Sequence, residues 1–209
     1  HNRWAKNIPT MWNEIARTPF FIWDPRSPSA AGQRRSALVQ PAIDLGPTLL
    51  EFFGLAPTAD MTGLDLAPAI RDDSAIRQDA IFGYFGLPVH YTDGRYVYMR
   101  RVVDPEQEHH IYSSLPVHFR GRWTEEDWKG AELVSPLPFS KNMPVIRRPA
   151  PNHNVSSLPS HLLFDLEKDP GQESPVDQKE IESRITERMT MLMKEAHSPE
   201  EILKRYGLG

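Results

Sequence analysis

The chain has 209 residues, of which 39% are hydrophobic and 25% are charged, and its net charge is −4. This balance is typical of a globular protein with one substantial core or two small ones, and it excludes a disordered chain. No basic stripe points to a nucleic-acid partner, and no apolar run reaches the roughly 20 residues that span a bilayer. Cysteine is absent, which excludes disulfides and thiolate metal sites.

The first elements predicted along the chain are a short helix and a strand. A helical turn is expected over Met11–Ala16. The continuous apolar run Phe20–Trp23 is stopped by Asp24-Pro25. A run of this length and character predicts a strand buried on both faces, as in the sheet of an α/β domain.

A longer helix is predicted next. Asp44 is a suitable N-cap, Pro47 would then lie in the first turn, and Gly54 would follow the helix end near Phe53. The apolar residues of this helix form a stripe: Leu45, Leu49, Phe52 and Phe53. A further short helix is expected over Leu66–Arg71.

The second half of the chain predicts a hairpin, one strand and three helices. Asp93-Gly94 is a strong signal for a two-residue turn. Thr124–Lys129 predicts a short capped helix, and His161–Leu166 a strand. Asp177–Glu195 predicts the clearest helix, since apolar residues recur on one face at helical spacing. A last helix is expected to begin at Ser198-Pro199, with the serine as its cap.

Together these elements predict a fold between α/β and α+β. Residues 1–75 are interpreted as the end of a large α/β domain. Residues 76–209 are interpreted as a smaller subdomain with an antiparallel sheet and a packed C-terminal helix.

A set of short segments, taken in order, resembles the C-terminal portion of the formylglycine-dependent sulfatases of the alkaline phosphatase superfamily. The likeness covers nearly the whole chain and is weakest over residues 104–160. Asn2 and Trp12 stand where the family carries glycine and tyrosine. The matching segments are His1-Asn-Arg-Trp4-Ala-Lys6, Trp12-Asn-Glu14, Arg17-Thr-Pro19, Asp44-Leu-Gly-Pro-Thr-Leu-Leu50, Gly63-Leu-Asp-Leu66, Thr92–Tyr98, and Leu163-Phe-Asp-Leu166 with Asp169-Pro170.

The resemblance implies an enzyme that hydrolyses sulfate monoesters of a small molecule or carbohydrate. The family's nucleophile is a formylglycine made from a Cys/Ser-x-Pro-x-Arg motif, and it acts with calcium or another divalent cation. These 209 residues contain no such motif. We therefore expect the chain alone to be inactive and to hold no metal or cofactor of its own.

The resemblance carries one catalytic position over to this chain. Lys6 matches the family lysine that contacts the sulfate, where a fixed ammonium would stabilise the negative charge that develops as the ester is cleaved. His90 and Tyr91 lie beside the predicted hairpin and are candidates for contacting the substrate. The alternative for His90 is a half-buried strand histidine.

Other polar groups are interpreted without a metal. His109 and His110 are adjacent on an extended chain, so they point to opposite sides and do not readily share an ion. The alternating acids Asp165, Glu167 and Asp169 lack the remaining features of a calcium loop and are better explained by a turn.

Alternative functions and a partner are also predicted. A phosphonate or phosphodiester hydrolase of the same superfamily would share these segments, and a non-catalytic binding module descended from a sulfatase would keep them too. An apolar run such as Phe20–Trp23 in a chain without the rest of its sheet also predicts self-association.

Overall fold

The computed structural model describes residues 11–118, 121–151 and 158–209. Its α-helices are α1 (Asn13–Ala16), α2 (Pro41–Phe52), α3 (Ala67–Asp72), α4 (Glu125–Trp128), α5 (Lys179–Glu195) and α6 (Glu200–Arg205). Its strands are β1 (Ala80–Gly83), β2 (Val89–Thr92), β3 (Tyr96–Arg100), β4 (His110–Ser113), β5 (Val117–His118), β6 (Gly121–Arg122), β7 (Glu132–Val134), β8 (Val145–Pro149) and β9 (Leu162–Asp165).

The strands form three sheets. One has four strands in the order β1-β2-β3-β9, and a second has the order β4-β8-β7. In the second sheet β8 is antiparallel to both neighbours, and β5 and β6 form a separate antiparallel ribbon. The predicted mixed class, with antiparallel sheets and a C-terminal helix, is confirmed. In the described part of the chain no helix combines the length and hydropathy that a membrane span requires.

The chain divides into two compact units that alternate along the sequence. Among the described residues, unit 1 contains 11–82, His90–Tyr98 and Leu163–Asp177. Unit 2 contains the remaining described residues, including α4, α5 and α6. The predicted boundary between residues 75 and 76 stays a prediction.

The predicted hairpin joins β2 to β3. Gly94 adopts a φ of 93°, a conformation that glycine reaches without steric cost. The Asp93 carboxylate accepts hydrogen bonds from the backbone N–H groups of Arg95 (3.1 Å) and Tyr96 (2.7 Å). The turn is therefore determined by its own residues, and the strand that follows it is buried at every position.

The helices of unit 2 also agree with their sequence signals. Thr124 and Asp127 form the capping box that begins α4. The predicted apolar face of α5 is confirmed by three side chains that are buried there, Ile185, Met189 and Met193. α6 begins one residue later than expected, with Pro199 rather than Ser198 as its N-cap.

The strand predicted over Phe20–Trp23 is wrong. This segment has no regular secondary structure, and none of the described sheets includes it. Phe21 is 91% exposed and Trp23 is 82% exposed. A strand buried on both faces needs paired neighbours for its backbone groups, and no described segment supplies them.

The predicted N-cap of α2 is also wrong. The helix begins at Pro41 after Gln40, and Asp44 lies within its first turns. The Asp44 carboxylate instead reaches back to accept a hydrogen bond from the Gln40 backbone N–H at 2.6 Å. Because the helix starts earlier, Pro47 lies inside it and not in its first turn.

Candidate functional site

The predicted catalytic residue, Lys6, lies outside the described residues, and its role stays a prediction. The described chain begins at Met11, five positions further on. The Met11 backbone N–H donates a hydrogen bond to Nε2 of His90 at 3.2 Å. Met11 is therefore bound to one of the two residues predicted to contact substrate.

His90 is completely buried within unit 1. Its ring stacks on that of Phe82, with centroids 5.2 Å apart and an interplanar angle of 22°. Since Nε2 accepts the Met11 hydrogen bond, the neutral ring carries its proton on Nδ1. His90 thus holds backbone in place here, and its predicted contact with substrate stays a prediction.

Tyr91 follows on the same strand and is also buried. Its hydroxyl donates to Oδ2 of Asp79 at 3.4 Å, a long hydrogen bond. The partner is a carboxylate of the same unit, so the hydroxyl has a structural contact in this state. Its predicted role at a substrate pocket likewise stays a prediction.

Asp44 is the most highly connected carboxylate of unit 1. It is fully buried, and the Arg77 guanidinium forms a bidentate ion pair with it, in which each carboxylate oxygen accepts one hydrogen bond at 2.6 Å. The backbone N–H of Leu64 donates to Oδ1 at 2.9 Å, in addition to the bond from Gln40 to Oδ2. Burial alone would raise the pKa of Asp44, but these hydrogen bonds outweigh burial and hold the pKa below its usual value.

The most specific segment of the sulfatase resemblance, in α2, meets the Gly63–Leu66 segment. Thr48 Oγ1 donates to the Asp44 carbonyl at 2.6 Å and accepts from the Leu66 backbone N–H at 3.0 Å. Asp44 and Thr48, one helical turn apart, therefore bind the backbone of residues 64 and 66. The Asp-Leu-x-Pro-Thr and Gly-Leu-x-Leu segments are two halves of one structural contact.

Pro47 and Gly63 complete this contact. Proline has no N–H, so it cannot donate the helical hydrogen bond to the carbonyl of Ile43, four residues earlier. Gly63 packs directly against that carbonyl, and a Cβ on Gly63 would lie only 1.9 Å from the Ile43 oxygen. The proline leaves a carbonyl without its helical donor, and the glycine allows a second backbone to approach it.

The histidines and acids considered for metal binding have other partners. His109 is buried, and burial together with the Arg205 guanidinium lowers its pKa. The next residue, His110, contacts Oε1 of Glu201 at 3.1 Å. Among the residues that the structure describes, no group of three or more His, Asp or Glu side chains is arranged to hold a metal ion.

The alternating acids near residue 165 have a structural role. Asp165 is buried, and the Arg95 guanidinium donates to both of its oxygens, at 2.9 and 3.2 Å. The hydrogen bonds from Arg95 lower the pKa of Asp165. This pair links the hairpin turn of unit 1 to the end of β9. The chain then turns at residues 166–168 and 170–171, in agreement with the interpretation of this region as a turn.

His161 was not singled out by its sequence, yet its surroundings shift its pKa strongly. Its Nδ1 accepts the Arg101 backbone N–H at 3.2 Å. Burial, followed by the positive charges of Arg100, Arg101 and Lys179, lowers the pKa of His161 to about 4 from a usual 6.5. Only the three-dimensional arrangement places three cations from two chain segments near this ring.

The low pKa of His161 predicts a pH-dependent stability. The unfolded chain takes up a proton near pH 6.5, whereas the folded chain resists it until about pH 4. The free energy of unfolding should therefore fall as the pH is lowered from 6.5 to 4, by about 2 kcal/mol after a discount for solvent screening. Urea titrations across this range should show a shallower decline for His161→Gln than for the control His197→Asn. Equal declines in the two variants would contradict the assignment.

Comparison with known proteins gives a weak likeness to a solved structure. No family model and no curated protein matches the chain. A solved sulfatase structure of Bacteroides thetaiotaomicron, BT33494S-sulf, from work on the metabolism of multiple glycosaminoglycans, has a TM-score of 0.41 and 15% identity. The match covers 76% of this chain and 27% of that protein, so this chain spans about a quarter of its length. A likeness of this size establishes neither the family nor an activity.

Proposed function

We propose that this chain is the C-terminal portion of a sulfatase-like hydrolase whose parent protein cleaves sulfate monoesters. The observation that carries the proposal is the ordered set of sequence segments, from the one that contains Lys6 to Asp169-Pro170. Two of these segments form one close contact, at Asp44, Thr48 and Gly63. The segments therefore have a physical reason to occur together.

An exposed apolar surface on unit 1 supports the view that the rest of a larger domain packs here. We define it by seven residues that are each more than a third exposed: Phe21, Trp23, Leu45, Leu49, Phe52, Phe53 and Leu55. At about 150–250 Å² for each aromatic side chain, its exposed area is on the order of 1,000 Å².

The composition of α2 agrees with this interpretation. Its inner side buries Asp44 and Pro47, while Leu45, Leu49 and Phe52 lie on the opposite side at helical spacing. An apolar stripe on the outward side of a helix whose other side is already buried indicates that a further layer packs there. In the proposal, the remainder of the parent's α/β domain covers the apolar surface.

Lys6 would act in the parent as a fixed positive charge beside the sulfate. Cleavage of the ester places negative charge on the sulfonyl and leaving-group oxygens, and an ammonium group held nearby stabilises that charge. The nucleophile and the divalent cation would come from the rest of the parent.

The proposal is tested first on the gene and then on the enzyme. The coding sequence upstream of residue 1 should encode an in-frame Cys/Ser-x-Pro-x-Arg motif. In the parent, Lys6→Ala should lower kcat/KM for a sulfated chromogenic ester at least about tenfold. The control Lys129→Ala, at an exposed surface pair, should leave it unchanged.

Two results would overturn the proposal. A start codon immediately before residue 1 with no such motif would favour the binding module. A parent that hydrolyses phosphodiesters or phosphonates in preference to sulfate esters would favour the related hydrolase.

The chain on its own should self-associate through the apolar surface. Light scattering over a concentration series should show a mass above that of the monomer, because the exposed area is comparable to one side of a standard interface of about 800 Å². Replacing Leu49 and Phe53 together with Glu should restore the monomer. The control Leu133→Glu, which changes an exposed leucine of unit 2, should not. A monomeric wild-type chain at high concentration would contradict this prediction.

A further inference from the structure

An open cleft of about 300 Å³ lies within unit 2. Its lining combines two apolar residues, Val103 and Pro159, with the polar side chains of Arg101, Ser160 and His161. This volume is at the lower end of the range for sites that bind small molecules, roughly 300–1,000 Å³. The cleft is therefore large enough for a ligand of only a few non-hydrogen atoms.

Arg101 is held against the wall of the cleft by two backbone carbonyl groups. Its Nε–H donates to the Val102 oxygen at 3.1 Å, and Nη1–H donates to the Pro159 oxygen at 2.8 Å. A guanidinium carries five N–H donors. Three of them have no acceptor within the described part of the chain, and a guanidinium fixed in this way loses little entropy when it binds a ligand.

The charges around the cleft are mainly positive. Arg100, Arg101 and Lys179 all act on His161, and no carboxylate contributes to the shift of its pKa. Arg100 is fixed by the carbonyl groups of Tyr206 (2.7 Å) and Gly207 (2.9 Å). Lys179 also pairs with Glu182, at 3.5 Å.

We propose that this cleft binds a small organic oxyanion, with the Arg101 guanidinium as its main ligand. A carboxylate, sulfate or phosphate group would accept two parallel hydrogen bonds from Arg101. The exposed Ser160 hydroxyl offers a further donor, and the side chains of Val103 and Pro159 contact the carbon skeleton of the ligand. This site is separate from the proposed ester hydrolysis and does not depend on it.

The test is an NMR titration of the 209-residue chain with acetate, sulfate and phosphate at constant ionic strength, with chloride as the reference anion. The His161 ring resonances and the Arg101 Nε–H should shift saturably, with a Kd of about 1–10 mM for these fragments of a ligand. A bound anion favours the charged imidazolium, so the pKa of His161 should rise by about half a unit or more. The relative affinities of the three anions then identify the kind of oxyanion.

Two variants separate binding at the cleft from general screening of charge. Arg101→Gln should abolish saturation. Ser160→Glu should weaken binding at least about tenfold by placing a negative charge at the rim, and it leaves the contacts of Arg101 intact. The control Arg122→Gln, at an exposed strand position of the same unit, should bind like the wild type. The proposal is overturned if no anion exceeds chloride, or if both variants still bind like the wild type.

Discussion

Replacement of Asp44 by Ala is expected to lower the free energy of unfolding by about 3–5 kcal/mol. The substitution leaves the Arg77 guanidinium, whose side chain is 9% exposed, without its two-point partner. It also removes the acceptor for the backbone N–H groups of Gln40 and Leu64. An unpaired charge and two unsatisfied donors in a buried place are among the most costly defects that a single substitution can create.

Chemical denaturation of the wild type and the variant measures this effect. Because hydrogen bonds hold the pKa of Asp44 below 3.8, its contribution to stability is present above that pH and is lost as the pH falls through the lower folded value. The difference between the two proteins should therefore narrow in acid. The control Glu126→Ala breaks an exposed pair with Lys129 and should cost no more than about 1 kcal/mol. If Asp44→Ala also cost no more than about 1 kcal/mol, the Asp44–Arg77 pair would contribute little to the free energy of unfolding.

Replacement of Gly63 by Ala is expected to cost more than about 3 kcal/mol or to prevent folding. The added Cβ would lie 1.9 Å from the oxygen and 2.4 Å from the carbonyl carbon of Ile43. The obstacle is helix backbone and not a side chain that can rotate away. To relieve the overlap, residues 63–66 would have to move off α2 and give up the hydrogen bonds to Asp44 and Thr48.

Gly46→Ala is the matched control for this prediction. Gly46 lies inside α2, and the nearest atom to an added Cβ there is the Met61 methyl group at 4.0 Å. The same chemical change at this position should raise the free energy of unfolding by up to about 1 kcal/mol, since alanine favours a helix over glycine. The two thermal transitions should thus shift in opposite directions. A Gly63→Ala transition that is not lowered relative to the wild type would mean that the close approach at Gly63 is not maintained in solution.

The elements that the sequence predicted correctly are those whose cause is local. Asp93 and Gly94 build the hairpin turn with hydrogen bonds that span only two or three residues. The capping box of α4 is contained in Thr124 and Asp127, and the buried face of α5 follows from the spacing of its apolar residues. In each case the groups that determine the structure lie within a few residues of one another, so their pattern can be recognised in the sequence.

The prediction of a strand at Phe20–Trp23 failed for the opposite reason. Its composition is suitable for a buried strand, but a strand also needs neighbours to pair with its backbone, and no described segment of this chain provides them. Hydrophobic pattern alone reports the environment that a segment favours. It does not report whether the partner segments are present.

The sequence by itself determined the local turns and caps, the periodic faces of the helices, and the ordered segments that resemble a sulfatase. Only the tertiary structure showed that Asp44 is no cap but the partner of Arg77 and Leu64, which lie 33 and 20 residues away. It also buried His161 and placed Arg100, Arg101 and Lys179 around it, and so lowered the pKa of that ring. Buried ion pairs and shifted pKa values depend on distances between residues far apart in the chain, and those distances exist only after folding.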